Sequence, residues 1–135
     1  MERQDHLMRQ IDQLAAVLQR LLADLVNVPI DNATVDRTME QLNEVMALDP
    51  AVVKSGPPHS IHGLLSDPAF TFANTEMIAD LYRAMADGLT ANDETQERAL
   101  QLRQHALAIL EYLHANDTTY SFTRQGKIAA LRGQL

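Results

Sequence analysis

The chain contains no cysteine and no tryptophan. With no thiol there is no disulfide, no thiolate metal site and no cysteine nucleophile, a composition that fits a reducing compartment. Aromatic residues are scarce, three Tyr and three Phe in 135 residues, so any core has to be built from aliphatic side chains. No stretch approaches the ~18 apolar residues that a membrane-crossing helix needs. The opening residues are polar and lack the basic-then-apolar order of a signal peptide. A cytoplasmic protein with no membrane partner is expected. The five glycines are scattered, and none falls in a phosphate-cradling, dinucleotide-binding or nucleophile-elbow pattern. The strand-like alternation of Val, Ile and Thr is missing as well.

Positive charge is also short. Lys and Arg number 11 against 18 Asp and Glu, a formal charge of −7, so nucleic acid is disfavoured as a partner. Arg124, Lys127 and Arg132 form a local basic exception. On a last helix they read as a solvated face that complements the helix dipole.

What remains is rich in Leu, Ala and Met, good helix formers, within a hydrophobic content of 46%. The expected fold is all-α, an antiparallel bundle of about five to six helices forming a single domain over residues 1–135, with a proline-rich connecting segment at 49–74. Its organising feature is a pair of amphipathic helices near 75–89 and 94–114. Met77, Ile78, Leu81, Tyr82, Met85 and Leu89 recur at steps of three and four in the first, as do Ala99, Leu102, Ala106, Ile109, Leu110 and Leu113 in the second. The link at 90–93 is short enough to force the two to lie side by side and antiparallel.

A long first helix is predicted over residues 4–26. Leu7, Ile11, Leu14, Leu18, Leu21 and Leu25 follow the seam spacing of a coiled coil, widened by Met8, Ala15 and Leu22. Leu7, Ile11, Leu14, Leu18 and Leu21 are therefore candidates both for an internal packing stripe and for a surface that pairs with a second copy of the chain. Pro29 ends this helix. Asp31 or Asn32 caps the next, whose stripe is Val35, Met39, Leu42, Val45 and Met46. A short helix is predicted near 60–66, Asn74 or Thr75 is the expected cap of the first paired helix, and a last helix near 121–131 is expected to be anchored by Tyr120 and Phe122, with Ile128, Leu131 and Leu135 inward.

Chemistry-bearing patterns are weak. His59 and His62, three apart, are the only close histidine pair and the only ligand candidates, but no third ligand stands at a fixed spacing. His6, His105 and His114 read as partly exposed helix residues. Glu40 with Glu44, and Asp93 with Glu97, are carboxylate pairs on helix faces that read as solvated. No catalytic residue, metal or cofactor is expected, and the chain is not read as an enzyme.

The stretch Glu97-Arg98-Ala99-Leu100-Gln101-Leu102-Arg103-Gln104-His105-Ala106-Leu107 resembles the second helix of a tetratricopeptide-type hairpin, including two alanines seven apart. Arg103 stands where that repeat commonly has an aromatic. Together with residues 7–11 and 118–125, these features make the chain similar to a family of small uncharacterised bacterial proteins with a tetratricopeptide-like fold. The resemblance implies a helical scaffold that binds another protein, and Arg103 joins Leu7, Ile11, Leu14, Leu18 and Leu21 in the candidate interaction surface. The expected function is a non-enzymatic interaction module with an unknown protein partner, a second copy of the chain being one candidate. The alternative is a small-molecule or metal-binding domain that uses residues 59–72 as a lid.

Overall fold

The computed structural model describes residues 2–46, 70–89, 93–119 and 121–135. The described residues form five α-helices and one 3-10 turn, with no strand among them. These are α1 (Glu2–Asn27), α2 (Asn32–Met46), α3 (Phe72–Leu89), the 3-10 turn Asp93–Thr95, α4 (Gln96–Asn116) and α5 (Phe122–Gln134). The all-helical expectation is met. The short helix near 60–66, with His59, His62 and most of the proline-rich segment, lies outside the described residues.

The ends of α1 and α2 follow from local chemistry. Pro29 stops α1 just beyond Asn27, whose side-chain amide donates back to the Ala23 carbonyl at 3.2 Å. Asp31 then caps α2: its carboxylate accepts from the Thr34 amide at 2.8 Å and from the Thr34 hydroxyl at 2.9 Å. These bonds, led by the one from the Thr34 amide, hold the Asp31 carboxyl below its ordinary pKa.

The start of α3 corrects the expected cap. Thr71 caps it, its hydroxyl accepting from the Asn74 amide at 3.1 Å while its carbonyl accepts from the Thr75 amide at 2.9 Å. Asn74 is instead buried, and its side chain donates to the Ile11 carbonyl of α1 at 3.2 Å. Phe72 is thus the first residue of the helix. Phe70 packs on the core and Phe72 is largely exposed.

Cross-contacts fix the helix directions. Ile11 meets Asn74 near the starts of α1 and α3, and Ile30 meets Gly88 near their ends, so these two helices run parallel. Arg98 near the start of α4 bonds Asn32 and Asp36 at the start of α2, and further along each helix Met39 lines one cleft with Leu102 and His105, so α2 and α4 also run parallel. The α1–α2 hairpin therefore lies alongside the α3–α4 hairpin in matching register. α5 runs antiparallel to α4, since Arg124 pairs with Asp117 and Arg132 with Glu111.

α3 lies at the centre, packed most extensively on α4 and then on α1. It buries residues on more than one face: Ile78, Leu81, Tyr82, Met85 and Leu89, but also Ala79 and Ala86. Ala99 and Ala106 of α4 are fully buried, and their small side chains let the backbones approach closely. Gly88 does the same for Ile30, which sits where a Cβ would be. The hairpin link is closed by the Thr95 hydroxyl, which donates to the Leu89 carbonyl.

α1 spends its seam internally. Leu14, Leu18, Leu21 and Leu25 are buried in the core with Val35, Met39 and Leu42 of α2. Ile128 and Leu131 bring α5 onto the same core, as expected. Its other expected anchors need correction: Phe122 is 82% exposed and Leu135 48%, while Tyr120 lies outside the described residues. A charge cluster takes their place. The Arg124 guanidinium, only 8% exposed, lies 2.8 Å from Glu76 and 3.1 Å from Asp117. Lys127 reaches Glu76 at 2.8 Å and Asp80 at 3.0 Å.

Candidate functional site

An open cleft of about 560 Å³ lies between α2 and α4. It exists because α2 leans on α1 and touches α4 only sparsely. Its floor is apolar and aromatic: Met39 from α2, Tyr82 from α3, Leu102 and His105 from α4. Its rim is polar, with Asn32 and Asp36 on one side and Glu94, Glu97, Arg98 and Gln101 on the other. The helical repeat produces the division. Arg98, Leu102 and His105 share one face of α4 at steps of four and three, while Glu97 and Gln101 lie one position round toward solvent.

Arg98 bridges the cleft. Its guanidinium donates to Asp36 at 2.6 Å and to the Asn32 side chain at 3.1 Å. The one cation of the rim is therefore already committed. Glu97 is exposed and pairs with no cation among the described residues.

On the floor, the Tyr82 and His105 rings stack with centroids 5.6 Å apart and planes inclined by 26°. Burial pushes the Tyr82 phenol far above its ordinary value, so it stays protonated. Burial also lowers the His105 pKa below 6.5, which favours the neutral imidazole near neutral pH. Its Nδ1 is buried with no hydrogen-bond partner. His105 is thus a buried residue of the cleft floor, where the sequence suggested partial exposure.

A second depression of about 360 Å³, lined by Ile30, Asp31, Ala33, Gly88, Leu89 and Thr95, shares Asn32 and Glu94 with the cleft.

No protein-family model, no curated protein and no solved structure matches the chain.

The remaining sequence candidates fall elsewhere. Leu14, Leu18 and Leu21 are buried in the chain's own core, out of reach of a second copy; Leu7 and Ile11, half-buried, extend the same seam. Arg103 is buried too, its Nη2 3.6 Å from Asp87 and its Nε without a partner. Of the candidate interaction surface, only the half-buried Leu7 and Ile11 keep access to solvent. Arg124, Lys127 and Arg132, expected as a solvated basic face, are each paired with carboxylates. Glu40, Glu44, His6 and His114 are exposed. No group of three or more metal-ligating side chains converges among the described residues, and no helix there is long and apolar enough to cross a membrane.

Proposed function

We propose that the chain is a non-enzymatic helical interaction module that receives a segment of a partner protein in the α2–α4 cleft. The observation that carries this reading is the cleft itself: about 560 Å³, open to solvent, with an apolar and aromatic floor and a polar rim. That division matches the general anatomy of recognition sites, in which apolar pockets supply affinity and a few rim groups supply orientation. The parallel register of the two hairpins supports the tetratricopeptide-like scaffold suggested by residues 97–107. A lone imidazole stacked on a protonated phenol, with no nucleophile beside it, favours binding over chemistry.

The test is nuclear magnetic resonance mapping of the isotope-labelled chain against peptides selected on it from a random library. The expected shifts centre on Met39, Tyr82, Leu102 and His105. Shifts confined to α5 or to the outer face of α1, or no selected peptide at all, would contradict the reading.

A further inference from the structure

The proposal so far leaves the chemistry of the partner segment open, and the cleft constrains it. The rim of the cleft carries the carboxylates of Asp36, Glu94 and Glu97 and one guanidinium, Arg98. Arg98 is consumed by Asp36 and Asn32 at 2.6 and 3.1 Å, so it offers little to an incoming anion. The floor adds no positive charge, because the buried His105 is held neutral. An acidic segment entering here would meet like charge on both sides, which costs affinity and slows encounter.

We infer that the cleft selects an extended segment carrying a lysine or arginine, with the cationic head on Glu97 and an adjoining apolar side chain on Met39 and Leu102. This rests on the reading of the cleft as the partner-binding surface. Ammonium and guanidinium groups are donors only, and the group they would meet at the rim, the exposed Glu97 carboxylate, is an acceptor only. The buried Nδ1 of His105, unpartnered in a residue only 7% exposed, is a further acceptor in the tautomer that protonates Nε2. The long apolar stem of either cation suits a site that is aromatic below and charged above. The eight helical steps of α4 from Glu97 to His105 span about 12 Å. That accommodates about four residues of extended chain, enough for one cation and one apolar anchor.

The experiment uses the full chain and a library of random dodecapeptides, with the Glu97→Lys variant as counter-selection. Glu97 is exposed and unpaired among the described residues, so folding is expected to survive, and the helical circular dichroism of the variant checks this. The expected result is enrichment of Lys or Arg next to an aliphatic residue. Selected peptides should bind Glu97→Lys about tenfold more weakly, and their affinity should fall with added salt. Peptides that map to the cleft but are neutral or acidic, or that bind Glu97→Lys equally well, overturn this inference and leave the cleft as a docking surface. Peptides that map elsewhere overturn both.

Discussion

Gly88→Ala and Gly126→Ala make the same chemical change in two helices, with opposite expected signs. In a helix interior, alanine is favoured over glycine by about 1 kcal/mol because the unfolded chain loses less freedom. At Gly126 an added Cβ meets nothing within 4 Å, so that gain should be realised almost in full. At Gly88 the added Cβ would lie 2.4 Å from Ile30 Cβ, 2.6 Å from its Cδ1 and 2.8 Å from its Cγ2. Carbon atoms in ordinary contact stand about 3.5–4.0 Å apart, so Ile30 must retreat by about 1 Å. Its Cβ is fixed to the backbone, so no rotamer change clears the clash, and the α1–α2 connector itself must move. Overpacking of this kind costs about 1–3 kcal/mol. Less the propensity gain, Gly88→Ala should lose about 1 kcal/mol, and the two variants should differ by about 2 kcal/mol. In a domain of this size that is a gap of about 8 °C in melting temperature, readable by far-ultraviolet circular dichroism. If both variants gain stability alike, Ile30 does not sit against α3. The connector that sets Asn32 and Asp36 at the rim of the cleft would then be wrongly placed.

Other outcomes follow from the same coordinates. Arg124→Met should cost about 2 kcal/mol in urea denaturation, because it leaves Asp117 unpaired and Glu76 with Lys127 alone; amide exchange in α5 should rise more than in α3. For Glu76, burial raises the pKa, but the bonds from Lys127 and Arg124 outweigh it and the net shift is downward. The stability it lends is therefore full above its unfolded value near 4.5 and is lost as pH falls through the lower folded value; Glu76→Gln should flatten that acid limb. His105, whose pKa burial lowers, gives a separate window: as pH falls below 6.5 the unfolded chain takes the proton first and stability declines. His105→Phe should remove that decline while leaving the more acidic limb, as measured by urea midpoints across the range. Leu18→Ala, at a side chain with no exposure, should cost about 3 kcal/mol.

Periodicity alone located the helices well. The stripes predicted helices at 4–26, 75–89, 94–114 and 121–131, against Glu2–Asn27, Phe72–Leu89, Gln96–Asn116 and Phe122–Gln134. What local pattern could not show is where polar side chains go once distant helices meet. Asn74 reads as a cap because asparagine often caps, yet its amide is taken by Ile11, 63 residues away. Arg124 reads as a solvated cation because its carboxylate Glu76 lies 48 residues back. Phe122 reads as an anchor from its hydrophobicity, but on α5 it occupies an outward position. The cleft was partly legible. His105, read as partly exposed, falls between Leu102 and Ile109 at steps of three and four, and that stripe position was the signal for its burial. Its partner Tyr82 stood in the stripe of the preceding helix. The rim was not legible, since Asp36 and Arg98 face each other only because the two hairpins stack in parallel.

The central claim is that the α2–α4 cleft is where a partner segment binds. With no native cysteine in the chain, a single introduced thiol reports directly on occupancy. Gln101→Cys places it on the cleft rim, and Gln19→Cys places it on an exposed turn of α1 as a control. Alkylation rates are measured with and without a saturating library-selected peptide. The peptide should slow alkylation several-fold at position 101 and leave position 19 unchanged. Equal rates at position 101 with and without bound peptide would contradict the claim.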